Sequence, residues 1–383
     1  MKHRFCEVCG EDEKLHSLKK IKFYLPKTYK IQSEYQVVCC DTCGFCYADT
    51  LSTIEDYDDY YSNYNFYSTA IVDTSLNKLS EEKRLEEFVT LFDKEDKICD
   101  VGFGRAQFLV NLKGRGFKSL YGVDPSAESV RYAAERGISA QEGTVYKLKE
   151  VLHEKMNVII LTGVLEHLIQ PSLALKNLAD CLEYNGYLVV GVPNCENLKF
   201  DNTPLANNFN QEHINYFSRI SLINMMRMNG FVEEKIIEDK TYVDMFAIFK
   251  YVARQGQCSN QVDNITKNAI QEYISRQERE IQGYNQKISP YMKENKKVLV
   301  WGTGAFAMSL ISNSELGKCD IRGFVDNNPL KNGTYMYEKE VVLPAFISRF
   351  GNVDAIIVCC IKNSENIRMQ IKEIGWAGDV VVL

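Results

Sequence analysis

The sequence has no excess of positive charge, no long apolar run and few histidines. Its 45 basic and 51 acidic residues give a formal net charge of −6, which does not favour a nucleic-acid partner. No segment reaches the roughly 18 apolar residues that cross a bilayer, so we expect no membrane partner. The first ten residues, MKHRFCEVCG, lack the apolar core of a signal peptide, and we therefore expect a cytoplasmic protein.

Only five histidines occur in the chain, and two of them directly follow a glutamate. These two pairs are Glu166-His167 and Glu212-His213. The composition, with 45% apolar and 25% charged residues, is typical of a globular protein. A length of 383 residues predicts two or three domains, because one hydrophobic core rarely serves more than about 200 residues.

Cysteine, in contrast, is abundant, since the chain holds 13. The unit Cys-x-x-Cys-Gly occurs twice, as CEVCG at residues 6–10 and as CDTCG at residues 40–44. Two thiolates three residues apart on a turn can hold one metal ion, and two such units supply four ligands. We therefore predict one structural zinc ion. Its ligands are Cys6, Cys9, Cys40 and Cys43.

Free thiols and a redox pair are the alternatives to this zinc site. Neither Cys-x-x-Cys unit opens a helix in a βαβ setting, which argues against a redox role. Cys39 and Cys46 are further thiols, but their spacing fits a metal site less well. Four cysteines leave no coordination position open, so we assign the site to stability and not to catalysis.

Residues 57–68, YDDYYSNYNFYS, form a tyrosine-rich stretch. One interpretation is an amphipathic linker that packs on its neighbour. The other is that tyrosine rings and hydroxyl groups line a polar ligand pocket, in which Tyr64 and Tyr67 are the candidate residues.

A strand, a glycine turn and a helix follow one another near residue 100. The apolar residues 98–101 predict a short buried strand, and Gly102 and Gly104 lead into an amphipathic helix. Asp124 ends the next predicted strand, 20 residues after Gly104. A carboxylate at this position meets the ribose hydroxyl groups of a ligand that lies across the first two strands.

Further apolar strands alternate with helices after this unit, over residues 156–162 and 186–193. Alternating strands and helices predict an α/β fold with a doubly wound parallel sheet, whose ligands bind at the carboxyl ends of the strands. A nicotinamide site would prefer GxGxxG, but the third glycine of that pattern is absent after Gly104.

The run DVGFGRA, residues 100–106, instead resembles the glycine-rich turn of class I S-adenosylmethionine-dependent methyltransferases. GVLEHL, residues 163–168, is similar to another element of these enzymes. The resemblance implies that the turn faces the methionine moiety, that Asp124 binds the ribose and that residues 142–148 flank the adenine. The donor-binding residues that it implies are Asp100, Gly102, Gly104, Asp124, Glu142, Thr162, Glu166 and His167.

The last third of the sequence predicts a helical segment and a second, smaller Rossmann-like unit. Residues 256–296 predict one long helix or two, with breaks at Gly283 and Pro290. Gly302 and Gly304 follow a further strand, and Asp326 ends the strand after it. The unit has too few elements for a full dinucleotide fold, and a purely structural or dimerising role is the alternative to ligand binding.

The loop over residues 193–218 is long for a connection and contains NQEHINYF, residues 210–217. Five features follow one another along the chain. They are a four-cysteine domain, a tyrosine-rich stretch, a methyl-donor fold, this Glu-His element and a Rossmann-like domain. That order resembles the nucleotide-sugar C-methyltransferases, which methylate a nucleotide-linked 4-keto deoxysugar. The family has a tyrosine two residues before the glutamate, where this chain has Asn210.

This resemblance implies that His213 is the general base and that Glu212 assists it. A neutral imidazole suits the removal of a proton from a carbon beside a carbonyl group. Glu166-His167 is the rival pair, although the resemblance places it in the donor pocket. The substrate-binding residues that we expect are Tyr64, Tyr67, Asn210, Gly302, Gly304 and Asp326.

We therefore predict three domains: a zinc-binding domain with its linker over residues 1–68, a methyltransferase domain over 69–255, and a helical linker with a Rossmann-like substrate-binding domain over 256–383. The expected activity is methyl transfer from S-adenosylmethionine to a carbon of a nucleotide-linked sugar, a small-molecule substrate. The alternatives are an O- or N-methyltransferase, a nucleotide-binding protein without turnover, and a dehydrogenase.

Overall fold

A computed structural model of the chain describes residues 4–25, 28–63, 75–201, 205–238, 244–253, 261–360 and 363–383. The chain divides into two compact units. The first comprises Met1–Lys20, Lys27–Asp201 and Gln211–Gln271, and the second comprises Ile21–Pro26, Asn202–Asn210 and Glu272–Leu383. The division into three domains stays a prediction, because its boundaries after residues 68 and 255 lie outside the described residues.

The described strands and helices are named here in chain order. The strands are β1 Leu15–Lys22, β2 Glu34–Cys40, β3 Cys46–Asp49, β4 Lys97–Val101, β5 Ser119–Asp124, β6 Ser139–Glu142, β7 Met156–Thr162, β8 Leu182–Pro193, β9 Asn215–Tyr216, β10 Phe231–Glu238, β11 Asp244–Tyr251, β12 Lys297–Trp301, β13 Asp320–Val325, β14 Tyr335–Met336, β15 Lys339–Val342, β16 Ala355–Val358 and β17 Asp379–Val382. The helices are α1 Ile54–Asn63, α2 Ser75–Leu91, α3 Gln107–Gly114, α4 Ala127–Glu135, α5 Leu148–Val151, α6 Pro171–Cys181, α7 Leu205–Asn208, α8 Arg219–Met228, α9 Thr266–Lys293, α10 Ala305–Asn313 and α11 Ser364–Glu373.

A mixed sheet is the centre of the first unit and, in the described residues, has the strand order β10-β11-β8-β7-β4-β5-β6. Strands β4 to β8 pair in parallel, whereas β11 pairs antiparallel with both β8 and β10. Successive side chains of β7 alternate between two apolar cores, with Ile159 and Leu161 in one and Val158 and Ile160 in the other. Because both faces of β7 are covered, its residues 158–161 are apolar without interruption.

A smaller sheet with the order β1-β2-β3-β9 belongs to the N-terminal part of the chain. Its last strand, β9, follows His213 closely in sequence and pairs antiparallel with β3, where Tyr216 lies opposite Cys46. The sequence did not predict this pairing. The segment that contains Glu212 and His213 is therefore fixed by a strand from the cysteine-rich region.

The second unit contains a sheet with the order β14-β15-β13-β12-β16-β17 among the described residues. Strands β12, β13, β15, β16 and β17 pair in parallel, as the predicted Rossmann-like unit requires. Strand β16 covers Ala355–Val358 and lies between β12 and β17.

The predicted breaks in the long helix were wrong. Helix α9 continues through Gly283 and also includes Pro290. A single glycine costs a helix only about 1 kcal/mol, which the burial of apolar side chains such as Tyr273 and Ile288 offsets. The tyrosine-rich stretch is helical as far as Asn63, where α1 ends. No helix in the described ranges has the length and apolar character that a membrane crossing requires.

Candidate active site

The glycine turn between β4 and α3 is built from three residues with positive φ. Gly102, Gly104 and Ala106 have φ values of 76°, 54° and 52°. A Cβ atom on Gly102 would lie 2.5 Å from Val164 Cγ2, whereas one on Gly104 would meet no atom within 4 Å. The turn thus packs closely against residue 164 on one side and is open on the other.

The acids at the ends of β4 and β5 lie on either side of this turn. Asp124 accepts hydrogen bonds from the backbone N–H of Gly104 and of Ser126, both at 2.9 Å. Asp100 is buried, and its Oδ1 accepts no hydrogen bond from the described part of the chain. Burial, and then the charge of Asp124, raise the pKa of Asp100 to about 7.

The open side of the turn faces a cavity of about 650 Å³. This volume is in the range of small-molecule sites. Six of the eight predicted donor-binding residues line the cavity, namely Asp100, Gly102, Gly104, Asp124, Thr162 and His167.

The other two predicted donor-binding residues do not line the cavity. Glu142 is exposed at the end of β6, and the cavity wall is formed by Gly143 to Tyr146, which follow it. Glu166 is buried, and its Oε1 lies 3.6 Å from His167 Nε2. A buried carboxylate oxygen of Asp100 and an open glycine turn fit a cationic donor such as S-adenosylmethionine.

The segment with Glu212 and His213 lies beside His167. The ring centroids of His167 and His213 are 5.0 Å apart, and His167 Nδ1 lies 2.9 Å from the carbonyl oxygen of Glu212. Because a carbonyl oxygen only accepts hydrogen bonds, a neutral His167 carries its hydrogen on Nδ1. Glu166, His167 and His213 form a small cluster. Each offers a carboxylate oxygen or a ring nitrogen, and these three atoms all lie within 4.8 Å of one another.

His213 is partly buried, and its pKa is lowered to about 3. Burial is the larger cause, because it disfavours the charged imidazolium, and the neighbouring His167 adds to it. The imidazole is therefore neutral at physiological pH, and with this pKa it is a weak base in the ligand-free site. A bound acceptor that developed negative charge would raise this pKa.

The sequence analysis did not single out Arg4 and Asn215 as parts of the site. The Arg4 guanidinium donates to the carbonyl oxygens of Ala48, Ile169 and Ile214 and to Asn215 Oδ1, at 2.8 to 3.1 Å. Asn215 Nδ2 donates to the carbonyl oxygen of Leu168 at 2.7 Å. These buried bonds connect the segments that carry His167 and His213. No sequence signal marked an arginine beside the first cysteine.

Helix α1 also contributes residues that the prediction did not name. Asp58 and Tyr61 line the cavity, and the Tyr61 ring lies edge-on to His167 with centroids 5.9 Å apart. The Tyr60 hydroxyl donates to Glu212 Oε1 at 2.6 Å. The spacing of tyrosines at residues 57, 60 and 61 was a helical signal that could have identified them.

The four predicted zinc ligands come together in the structure. The sulfur atoms of Cys6, Cys9, Cys40 and Cys43 all lie within 4.8 Å of one another, with 3.4 Å between Cys6 and Cys43 and 3.5 Å between Cys9 and Cys40. Tetrahedral coordination with metal–sulfur bonds of about 2.3 Å needs sulfur atoms roughly 3.8 Å apart. The four thiols thus fit a single metal ion. Cys39 and Cys46 do not join this group.

The predicted substrate residues of the second unit surround its own glycine turn. Gly302 has a φ of 108°, and Gly304 caps α10. Asp326 accepts hydrogen bonds from the Thr303 side chain and from Lys331 Nζ, the latter at 3.0 Å. These contacts lower the pKa of Asp326 and oppose the effect of burial.

Of the three other predicted substrate residues, the structure describes only Asn210. The Asn210 side chain donates to the carbonyl oxygen of Asn207 at 3.2 Å. Tyr64 and Tyr67 lie outside the described residues.

Comparisons with known proteins identify two regions of the chain. A family model described as "Methyltransferase domain" matches residues 75–235, and one described as "C2185-like, N-terminal" matches residues 294–382. No curated protein matches the chain significantly.

Solved structures that resemble this chain include several methyltransferases. Magnesium protoporphyrin IX methyltransferase from Synechocystis PCC 6803 with bound SAH is 15% identical, over 51% of this chain and 98% of that chain, with a TM-score of 0.40. A methyltransferase from Thermotoga maritima, described as a possible histamine N-methyltransferase, is 19% identical over 52% of this chain and 95% of that chain, with a TM-score of 0.37. Structural similarities at this low level of identity carry no information about the methyl acceptor.

Proposed function

Since the chain is an S-adenosylmethionine-dependent methyltransferase with its class I domain in residues 75–235, we propose that it methylates a carbon of a nucleotide-linked keto sugar, with His213 as the general base. The observation that carries this proposal is the position of His213 beside His167, which lines the cavity. The order of elements along the chain, which resembles nucleotide-sugar C-methyltransferases, supports the class of acceptor.

The side chains around the cavity support a division of roles. A bound S-adenosylmethionine supplies a methyl group on a positively charged sulfur. Asp100 and Asp124 bind this cationic donor, and the glycine turn lets it approach the backbone. His213, neutral at physiological pH, takes the proton from the carbon beside the acceptor's carbonyl group. His167 and Glu212 hold the imidazole beside the cavity.

The four-cysteine cluster supports a structural zinc ion. Thiolate ligands in a closed tetrahedral set favour zinc over magnesium or calcium, which prefer oxygen ligands. The ion would be held by Cys6, Cys9, Cys40 and Cys43 and would take no part in methyl transfer.

We further propose that the second unit binds the nucleotide end of the acceptor. The Gly302 turn leads into α10, whose N-terminal N–H groups favour an anion, and Lys331 adds a positive charge beside it. Asp326 is already bound by Thr303 and Lys331, so this turn differs from a dinucleotide site, where the acid binds ribose.

The substitution His213→Ala tests the role of the base. General base catalysis contributes about 10²–10⁴-fold, so we expect turnover with a dTDP-linked 4-keto deoxysugar to fall by that factor. Calorimetry with S-adenosylhomocysteine should show donor binding nearly unchanged. The matched control is His153→Ala, because His153 is exposed. Undiminished turnover in His213→Ala would exclude this residue as the base.

Hydrogen exchange at the acceptor separates carbon methylation from the O- and N-methylation alternatives. Only the carbon route requires the proton beside the ketone to leave, so wild-type enzyme should wash deuterium out of that position. Methylated product without wash-out would favour the alternative acceptors.

A further inference from the structure

Helix α1 presents one face to the donor cavity. Asp58 and Tyr61 both line this cavity, and they are three residues apart, which places them on the same side of a helix. The helix covers Ile54–Asn63 and thus lies outside the matched methyltransferase domain of residues 75–235. A donor in the cavity would therefore contact an element that the domain itself does not supply.

A neighbouring face of the same helix holds the segment before His213. Tyr57 and Tyr60 are also three residues apart, and both are buried. The Tyr57 hydroxyl donates to the carbonyl oxygen of Gln211 at 2.8 Å, and the Tyr60 hydroxyl donates to Glu212 Oε1 at 2.6 Å. Gln211 Nε2 in turn donates to the Tyr60 hydroxyl at 3.3 Å.

These hydrogen bonds join α1 to the residues that fix the imidazole pair. Glu212 accepts from Tyr60 through its side chain and from His167 through its carbonyl oxygen. Burial, and then the charge of Glu212, raise the pKa of Tyr60, so its hydroxyl stays protonated and keeps donating. A shift of α1 would therefore move Gln211 and Glu212 and, with them, His213.

We propose that Tyr60 is a positioning residue, through which α1 couples occupancy of the donor cavity to the placement of His213. Its catalytic consequence depends on the proposed role of His213, but the coupling itself does not. A donor against Asp58 and Tyr61 holds α1, and α1 holds the segment 211–213 through Tyr57 and Tyr60.

Hydrogen–deuterium exchange of the full-length protein tests the coupling without any acceptor. We expect S-adenosylhomocysteine to slow amide exchange in residues 211–215 of the wild type. In the variant Tyr57→Phe/Tyr60→Phe, calorimetry should show an unchanged Kd for the same ligand, while the slowing is lost. The variant Tyr184→Phe is the matched control, because Tyr184 is 69% exposed and should behave as the wild type.

Two outcomes would overturn this proposal. One is equal slowing in the wild type and in the double variant, and the other is no slowing in the wild type. Neither outcome depends on whether His213 is the base. A failure of this proposal can therefore be distinguished from a failure of the proposed function.

Kinetics of the single variant Tyr60→Phe provide a second test. The hydroxyl bonds to a carboxylate, and losing such a bond should lower kcat roughly tenfold, with the KM for S-adenosylmethionine unchanged. A variant that lost only stability would regain its kcat at low temperature. If the KM for the donor rose while kcat stayed unchanged, the result would contradict a positioning role.

Discussion

Asp100 has surroundings that differ strongly from water. It lies at the end of a strand, is buried beside Asp124, and has a carboxylate oxygen without a hydrogen-bond donor from the described chain. Burial disfavours the charged carboxylate, repulsion from the charge of Asp124 adds to this effect, and the pKa of Asp100 rises to about 7. A positively charged ligand would relieve this repulsion.

Donor affinity should therefore depend on pH through Asp100. The cationic donor binds the ionised carboxylate, so its Kd should rise as the pH falls below about 7, by up to roughly tenfold per pH unit. Calorimetry with S-adenosylmethionine between pH 5.5 and 8 measures this change. Asp100→Asn should bind weakly and without this dependence, whereas Glu128→Gln, at an exposed position, should follow the wild type. A flat profile in the wild type would contradict the assignment.

The site residues that the sequence could indicate are those that local motifs mark. Asp100, Gly102, Gly104 and Asp124 lie at strand ends, and any parallel sheet brings such positions to one edge. Arg4 and Tyr60 carry no such mark, because their partners in the site, Ile169 and Glu212, are more than 100 residues away in sequence. Only folding makes them part of the site.

At the scale of single elements, the turn between β4 and α3 has two glycines that serve different purposes. Both have positive φ, which costs a residue with a side chain about 1–2 kcal/mol. Gly102 is also held by close contact with Val164, whereas Gly104 faces the cavity.

Alanine substitutions should separate these two purposes. We expect Gly102→Ala to lower the free energy of unfolding by about 1–3 kcal/mol more than Gly104→Ala does, because its Cβ would overlap Val164. Gly104→Ala should mainly weaken donor binding, because its Cβ would enter the cavity. Urea denaturation and calorimetry with S-adenosylhomocysteine measure the two effects. Equal destabilisation by both substitutions would contradict this account.

Helix α1 is the element that the sequence left most open. Its tyrosines suit both a packed linker and a pocket wall, and the structure combines the two interpretations. Tyr57 and Tyr60 are buried, while Asp58 and Tyr61 line the cavity. Composition could not decide between them, because the choice depends on which neighbours each face of the helix meets.

At the scale of the whole first unit, the cysteine-rich region and the methyltransferase sheet share one structure. Strand β9 pairs with β3, and Arg4, two residues before Cys6, bonds to Ile214 and Asn215. The backbone N–H of Asp263, just before α9, donates to the carbonyl oxygen of Cys43 at 2.8 Å. These contacts connect the cysteine-rich region to the segment that carries His213.

Loss of the proposed zinc ion should affect methyl transfer before donor binding. We expect chelation or Cys9→Ser to lower the Tm by at least about 3 °C and to reduce turnover, since Arg4 and β9 lose their support. The Kd for S-adenosylhomocysteine, measured by calorimetry, should change less. Metal content measured by plasma spectrometry checks the site, and Cys360→Ser, at a partly exposed thiol in the second unit, is the control. A metal-free protein with full turnover would refute this expectation.

The sequence by itself determined the α/β class, the alternation of strands and helices in the methyltransferase region and the residues at the carboxyl ends of its strands. These features depend on apolar periodicity, glycine turns and cysteine spacing, all of which act over a few neighbouring residues. The tertiary structure decided that α1 reaches the cavity, that β9 joins the cysteine-rich sheet and that His213 lies beside His167. These placements depend on which distant surfaces bury each other, and no short stretch of sequence contains that information.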